Sequence, residues 1–154
     1  MFRAFFADAL AQGGALAIVD KRSGAIIGSS RFQHYEAANG GSVEIGWTFI
    51  ARHLWGTGLN PELKRLMLEH AFRYVERVLF KIGANNVVSR AAMTKIGGRL
   101  TGEPWFEERA GRPSEHVMFE ITREDSSAAP RRAPPRLASS PAAAGSGRRC
   151  RSRD

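Results

Sequence analysis

The sequence predicts an α/β fold with one mixed sheet, and three patterns within its 154 residues support this prediction. A strand-like run at 43–50 is followed by a glycine turn, an amphipathic helix and a second strand at 78–82. This order is typical of a βαβ crossover between parallel strands. Hairpin patterns lie on either side of it, at 15–35 and 99–122. Parallel and antiparallel strands together indicate a mixed sheet covered by helices.

The composition divides the chain into a domain over 1–125 and a tail over 126–154. Ala, Pro, Ser, Gly and Arg dominate the tail, which we expect to be disordered because it has too little apolar surface to offset its ordering entropy. Seven arginines and one acid lie there, whereas the domain has sixteen basic and fourteen acidic residues. The +8 charge of the chain therefore belongs mostly to the tail. A nearly neutral body disfavours a nucleic-acid-binding module, and the tail is either a basic arm or a passenger segment.

The sequence also disfavours several other classes of protein. The single cysteine, Cys150, allows no intrachain disulfide and suggests no cysteine metal site, and the histidines have no metal-ligand spacing. We expect no membrane span, because no apolar run reaches about 18 residues. The first residues lack the long apolar core of a signal peptide, so the expected location is the cytoplasm.

The first elements are a helix and a hairpin. Apolar residues at helical spacing predict a helix over 2–11, which ends at the glycines that follow. Apolar strands over 15–20 and 25–35 flank a turn that ends at Gly24. Gly28 lies inside the returning strand, where a glycine indicates a bulge or a close backbone approach.

The central strand is predicted over Val43–Ile50 from its alternating pattern. One face is expected to carry Val43, Ile45, Trp47 and Phe49, and the other to carry Glu44, Gly46 and Thr48.

A long helix is predicted over 61–77, with Asn60 as its N-cap and Pro61 as its first residue. Its polar residues recur every three or four positions and share one face, which favours the ion pairs Arg65–Glu69 and Glu69–Arg73. That stripe contains Glu62, Arg65, Glu69, Arg73 and Glu76. The rest of the circumference is largely apolar, so this helix should pack on the sheet.

A second helix over 87–96 is capped by Asn86 and ends at paired glycines. Strands over 99–108 and 116–122 complete the domain as an antiparallel hairpin.

The glycine turn before the long helix predicts an anion site. Gly56 and Gly58 allow a tight turn that exposes backbone N–H groups, and a helix N-terminus follows directly. Strand, glycine turn and capped helix in this order favour a ligand that carries phosphate.

Two motifs make the chain resemble the GCN5-related N-acetyltransferase (GNAT) superfamily over about Ala15–Ile121. The family's loop pattern is Gln/Arg-x-x-Gly-x-Gly/Ala, matched here by His53, Gly56 and Gly58, although His53 departs from the usual Gln or Arg. The second motif, Asn-x-x-Ser, matches Asn86–Ser89 at the start of the next helix. The branch of ribosomal-protein-alanine acetyltransferases favours Trp before the glycines and Asn after them. Trp55 and Asn60 resemble this pattern.

The resemblance implies an acetyl-CoA-dependent N-acetyltransferase that acts by direct attack of a primary amine, such as a protein N-terminus, and uses no metal. Glu44 is the implied general base, with a solvent-facing strand residue as the alternative. Ser89 is the implied acid for the leaving thiolate, with a role in helix capping as the alternative. The implied cofactor contacts are Phe49, Ile50, His53, Trp55, Gly56, Thr57, Gly58, Leu59, Asn60, Asn86 and Ser89. Backbone N–H groups near Thr48–Ile50 are expected to hold the thioester carbonyl.

The chain departs from the family at its start. Members begin with a strand and two helices, of which only the end of the block, 2–11, is expected here. Those elements line the acceptor side, so the alternative function is a non-catalytic remnant that at most binds CoA. A homodimer in which a second copy covers the missing edge is left open.

Overall fold

The computed structural model of the protein describes residues 2–11, 13–109 and 111–128. Four α-helices, six strands and one short 3₁₀ helix, Arg52–Leu54, occur in this part of the chain. In chain order the α-helices and strands are α1 Phe2–Ala11, β1 Ala15–Val19, β2 Ile26–Glu36, β3 Ser42–Ile50, α2 Leu59–Ala71, β4 Arg77–Gly83, α3 Val87–Lys95, β5 Arg99–Arg109, β6 Arg112–Thr122 and α4 Arg123–Ala128.

All six strands form one mixed sheet in the order β1-β2-β3-β4-β6-β5. Only β3 and β4 pair in parallel, and the helix α2 crosses between them, so the predicted βαβ unit is confirmed. The β1–β2 and β5–β6 hairpins are antiparallel, as predicted. The mixed α/β fold class is therefore confirmed.

One apolar core joins α2 and α3 to the middle of the sheet. The crossover helix can lie on the sheet because its apolar residues occupy one side of its circumference. Members of this buried cluster come from β3, α2, the turn after α2, β4, α3 and β6: Val43, Ile45, Met67, Leu68, Ala71, Val75, Val78, Phe80, Ile82, Met93, Val117, Phe119 and Ile121.

The bounds predicted for α2 are wrong at both ends. Gly58, with φ +84°, occupies the N-cap position, so Asn60 lies inside the first turn and does not cap the helix. The helix ends at Ala71 and not near Arg77, because the chain turns after Ala71 to enter β4. The predicted Arg65–Glu69 pair is present at 2.6 Å.

The other predicted pair, between Glu69 and Arg73, is not present among the described residues. Arg73 lies beyond the end of α2, so the helical spacing that favoured the pair no longer applies. Glu76, also beyond the helix, pairs with Arg123 at 3.1 Å.

The alternation predicted for β3 holds only for its first half. Val43 and Ile45 are buried in the core, but Trp47 has φ +51° and both Trp47 and Phe49 are exposed. Opposite this point the register with β2 shifts, so that β3 carries an extra residue. A β-bulge of this kind reverses the faces that the following side chains occupy. It explains why strict alternation is wrong after Gly46.

The remaining bounds differ from prediction by small amounts, except that β6 begins four residues earlier, at Arg112 instead of His116. The hairpin is longer than predicted because β5 pairs with β6 up to Arg109 and Arg112. At the end of the domain, α4 runs to Ala128 and crosses the predicted boundary after residue 125. The predicted tail from residue 129 lies outside the described residues and stays a prediction.

Gly28 marks both of the features that its position predicted. The register between β1 and β2 shifts beside it, between Ile18 and Val19. A Cβ at Gly28 would lie 2.4 Å from the carbonyl oxygen of Phe49 on the neighbouring strand. No side chain fits there unless the β2 and β3 backbones move apart.

We expect Gly28→Ala to lower the free energy of unfolding by about 1–3 kcal/mol, the usual cost of overpacking. Urea denaturation measures this change. Gly83→Ala is the matched control, because a Cβ at Gly83 meets nothing closer than the Glu115 oxygen at 4.0 Å. Equal stability of the two variants would contradict the close approach.

Candidate active site

A cleft opens where β3 and β4 separate. The two strands pair only from Ser42 to Glu44 and from Arg77 to Leu79. Beyond these residues the strands leave a cavity of about 1170 Å³. Its walls come from the second half of β3, the glycine turn, the first turns of α2, the end of β4, α3 and the β5–β6 hairpin.

The glycine turn presents free backbone N–H groups at the mouth of this cleft. Gly56 and Gly58 have φ +77° and +84°, a conformation that L side chains rarely adopt. The first intrahelical bond of α2 runs from Glu62 N–H to Gly58 O, so the amides of Gly58, Leu59 and Asn60 have no partner within the helix. These amides, at the positive end of the helix dipole, form a cradle of the kind that favours anions.

Two side-chain hydrogen bonds hold the turn in place. The Trp55 indole Nε1 donates to the Ile50 carbonyl oxygen at 2.9 Å and ties the turn to the end of β3. The Thr57 hydroxyl donates to the Leu54 carbonyl oxygen at 2.7 Å. Thr57 is therefore a structural residue of the turn.

The structure brings most of the predicted cofactor residues together in the cleft, but not all of them. His53 is exposed and does not line it, and neither does Thr57. His53 lies in the 3₁₀ helix that precedes the turn, which places it outside the cavity. The predicted residues that do line the cleft are Phe49, Ile50, Trp55, Gly56, Gly58, Leu59, Asn60, Asn86 and Ser89.

Asn60 contributes an unsatisfied polar atom to this site. Its Oδ1 is buried and has no hydrogen-bond partner among the described residues. A buried amide oxygen left unpaired costs about 1–3 kcal/mol, so a ligand that offers an N–H there would recover this energy. The residue predicted as a helix cap is thus better placed to meet a ligand.

Glu44 is a buried carboxylate and not the solvent-facing residue that the alternative interpretation described. It is 5% exposed and lines the cleft. Gln33 Nε2 donates to its Oε1 at 2.8 Å, and His34 Nδ1 lies 2.9 Å from its Oε2. Because the His34 side chain is 66% exposed, this pair connects the buried carboxylate to solvent. The sequence prediction missed both partners.

Ser89 takes part in the capping network, and its position leaves the other role that the sequence implied open as a prediction. Its backbone N–H donates to Asn86 Oδ1 at 3.1 Å, which confirms Asn86 as the N-cap of α3. The Ser89 residue also lines the cleft, beside Val88 and Ala92. Capping occupies the amide of Ser89 and leaves its hydroxyl available to a ligand.

The wall formed by β4, β5 and β6 carries charged groups that the sequence prediction missed. Lys81 Nζ lies 2.5 Å from both carboxylate oxygens of Glu107, and the Trp105 indole donates to Glu107 Oε1 at 3.0 Å. These hydrogen bonds, the one from Lys81 above all, lower the pKa of Glu107. Glu108 and His116 line the same wall.

Lys64 is another buried charged side chain of the cleft, and the sequence prediction also missed it. It is 6% exposed, and its Nζ donates to Thr48 Oγ1 at 2.7 Å. Burial lowers the Lys64 pKa from 10.5 to about 8. Its burial could have been predicted from its position, since Lys64 lies four residues after Asn60 and off the polar stripe of the helix.

The part of the chain that the structure describes contains no group of three or more His, Cys, Asp or Glu side chains arranged to hold a metal ion. Within the same residues, no helix has the length and apolar character needed to cross a membrane.

Comparison with known families agrees with this arrangement of sheet, glycine turn and capped helices. The model of the acetyltransferase (GNAT) domain matches residues 1–99, which is more than half of the chain. The chain therefore belongs to the GNAT family of acetyltransferases, and the family predicted from the two motifs is confirmed.

Solved structures of the family share this fold. A GCN5-related N-acetyltransferase from Brucella melitensis aligns with a TM-score of 0.70 and 22% identity, over 80% of this chain and 58% of that one. RimJ from Mycobacterium smegmatis, solved in complex with CoA-disulfide, aligns with a TM-score of 0.66 and 22% identity, over 80% of this chain and 62% of RimJ. A GNAT acetyltransferase from Bacillus anthracis aligns with a TM-score of 0.65 and 19% identity, over 79% of this chain and 73% of that one. The chain spans less than two-thirds of the Brucella protein and of RimJ.

We expect Lys64→Met to stabilise the protein at neutral pH. With a folded pKa of about 8 and an unfolded value of 10.5, the unfolded chain holds more protons between these limits, so the wild-type free energy of unfolding rises with pH there. The stability difference should be roughly 3 kcal/mol below pH 8 and should disappear above pH 10.5. Urea denaturation of both proteins across this range measures it.

Lys95→Met serves as the matched control, because Lys95 is an exposed lysine on a helix. Its stability difference from wild type should not change between pH 8 and pH 10.5. A Lys64→Met difference that is equally independent of pH would refute the effect of burial.

Proposed function

We propose that this protein is an N-acetyltransferase that transfers an acetyl group from acetyl-CoA to a primary amine by direct attack. The observation that carries the proposal is the cradle of free N–H groups at Gly58, Leu59 and Asn60, set at the mouth of the cleft between β3 and β4. A ligand that is anionic at one end and extended at the other fits this shape. Membership of the GNAT family supports acetyl-CoA as that ligand.

The residues present fit this substrate at both ends. The cradle amides suit the pyrophosphate, since a helix N-terminus with free N–H groups favours phosphate oxygens. The unpaired Asn60 Oδ1 can accept an N–H from the amide-containing arm of CoA. Phe49, Ile50, Asn86 and Ser89 line the same cleft, and the acetyl end is proposed to lie beside them. Acetyl-CoA supplies the activated acyl group.

Glu44 is the proposed general base. An amine is protonated at neutral pH and must lose a proton before it can attack, and a carboxylate can take that proton directly or through water. Gln33 and His34 hold the Glu44 carboxylate in one orientation. The exposed His34 ring also offers the proton a route to solvent.

The thioester carbonyl is proposed to lie against the backbone of β3. Beyond Glu44 this strand has lost β4 as its hydrogen-bonding neighbour, so amides in the stretch Thr48–Ile50 can face a ligand. Such preorganised N–H groups stabilise the negative charge that develops on the carbonyl oxygen. Ser89 is proposed to donate a hydrogen bond toward the leaving sulfur.

The proposed acceptor is a primary amine, and we propose more specifically that this amine is a protein N-terminus. The Trp55 and Asn60 pattern around the glycine turn supports that version. The Glu108 carboxylate lines the cleft and favours a cationic acceptor. A homodimer in the cytoplasm remains part of the proposal and rests on the sequence expectations alone.

A second candidate function is CoA binding without transfer. Phe49 lines the cleft and yet is 58% exposed, and Trp47 beside it is 47% exposed, so the acceptor side of the cleft has little cover. Calorimetric titration with acetyl-CoA, followed by turnover assays on a panel of amines, separates the two functions. Binding heat without turnover on any amine would favour the second.

We expect Gly56→Ala to weaken acetyl-CoA binding about tenfold, equivalent to a loss of about 1.4 kcal/mol, because a side chain at φ +77° distorts the cradle. Calorimetry measures the affinity. Gly24→Ala is the matched control, since Gly24 has φ +71° and, like Gly56, has open space where a Cβ would lie, but belongs to the β1–β2 turn. Equal affinities in the two variants would argue against the cradle.

We expect Glu44→Gln to lower kcat by about 10²–10⁴-fold on any amine that the wild type acetylates, which is the usual contribution of a general base. Acetyl-CoA affinity should not change, because the substituted side chain keeps its shape. Glu36→Gln, at the exposed end of β2, is the control and should retain wild-type kcat. Full activity of Glu44→Gln would rule out Glu44 as the base.

A further inference from the structure

We propose that the Lys64 ammonium stabilises the thiolate that leaves from acetyl-CoA by forming an ion pair with it. This inference rests on the proposed function and assigns a further catalytic group to the same cleft. It adds a cation from α2 to a leaving-group site that sequence motifs place on α3 alone, at Ser89.

The position of Lys64 supports this role. Its Nζ lies between the two separated strands, 2.7 Å from Thr48 Oγ1 on β3 and 5.3 Å from the centre of the Phe80 ring on β4. Thr48 begins the stretch of β3 that is proposed to hold the thioester. Lys64 therefore reaches the part of the cleft where the thioester is proposed to lie.

The hydrogen bonds around Lys64 leave its remaining protons available. Thr48 Oγ1 lies 2.7 Å from Ser30 Oγ, which donates in turn to the Gly46 carbonyl oxygen at 3.5 Å. This chain directs the hydroxyl protons away from Lys64, so the ammonium donates one proton to Thr48 and keeps two. No carboxylate lies within ion-pair distance of Lys64 in the described part of the chain.

A buried ammonium with one neutral partner is costly, and burial alone lowers the Lys64 pKa to about 8. An anion that forms beside it would recover part of that cost. Because that pKa lies above 7, the Lys64 side chain still carries its charge at neutral pH and can pair with an anion. Both arguments favour a thiolate as the partner of Lys64.

The reaction balances with Lys64 in this role. The amine nitrogen forms a bond to the thioester carbon, the carbon–sulfur bond breaks, and its electron pair stays on sulfur. The nitrogen loses its extra proton to the base, which passes it to solvent, and the thiolate stays paired with the Lys64 ammonium until it takes a proton from solvent. Lys64 keeps its proton throughout, so the products are an amide and CoA thiol, with no net change at Lys64 or the base.

Other charged groups surround the cleft and would influence the same titration. Arg31 on β2 pairs with Asp8 on α1, His34 pairs with Glu44, and Lys81 pairs with Glu107 on the opposite wall. The titratable residues that line the cleft besides Lys64 are Asp8, Arg31, His34, Glu44, Lys81, Glu107, Glu108 and His116. All of these remain in the Lys64 variants, so their effect cancels in a comparison.

The test is a pH titration of bound CoA, followed by the ultraviolet absorbance of its thiolate. Each protein also carries Cys150→Ser, which removes the single cysteine of the chain. The complex with desulfo-CoA provides the reference spectrum. We expect the thiol of CoA bound to the wild type to ionise about one to three pH units below its usual value, as next to a cation. In Lys64→Met this shift should be lost, and Lys64→Arg should restore it, because Arg keeps the positive charge.

The outcomes separate the inference from the proposed function. If CoA binds and its thiol ionises at the same pH in wild type and Lys64→Met, Lys64 has no contact with the sulfur and the inference is wrong. If neither CoA nor desulfo-CoA binds the wild type in calorimetry, the proposed function fails as well. Desulfo-CoA affinity should be equal in wild type and Lys64→Arg, which confirms that the cleft is intact.

Discussion

The separation of β3 from β4 is the constraint on which the candidate site depends. Three residue pairs, from Ser42 to Glu44 on β3, join these strands before they separate. Beyond that point each strand carries backbone groups without a neighbour, and such groups are costly unless something binds them. The bulge at Trp47 lies on the same stretch and redirects the side chains that follow. The cleft, its exposed amides and the burial of Lys64 all follow from this separation.

Much of the fold could be predicted because its signals are local. The predicted bounds of α1 match those observed, and Asn86 caps α3 as expected, since a side chain three residues from an amide needs no distant partner. Gly28 was correctly identified as a close approach, because few other reasons place glycine inside a strand. The glycines of the turn likewise predicted the cradle. Family membership follows from the same local motifs.

The features that prediction missed depend on contacts between distant residues. The β3 bulge arises from register with β2 and leaves no mark in the β3 sequence, so alternation was extended too far. The partners of Glu44 come from β2, eleven and ten positions earlier, and no spacing rule connects them. The ion pair of Lys81 with Glu107 spans 26 positions. A cleft between two elements therefore has walls that a sequence pattern describes only in part.

Glu44 and Lys64 are both buried in the cleft, but they differ in how many hydrogen-bond partners their charged groups have. Glu44 has two side-chain partners on β2, so its position is stable without a ligand. Lys64 has one neutral partner, and its burial weakens the folded state at neutral pH. A core position that only had to be filled would be better occupied by an apolar side chain. The presence of a lysine there is explained if the protein needs a positive charge at the point where β3 and β4 separate. A ligand that becomes anionic during the reaction would supply the missing partner.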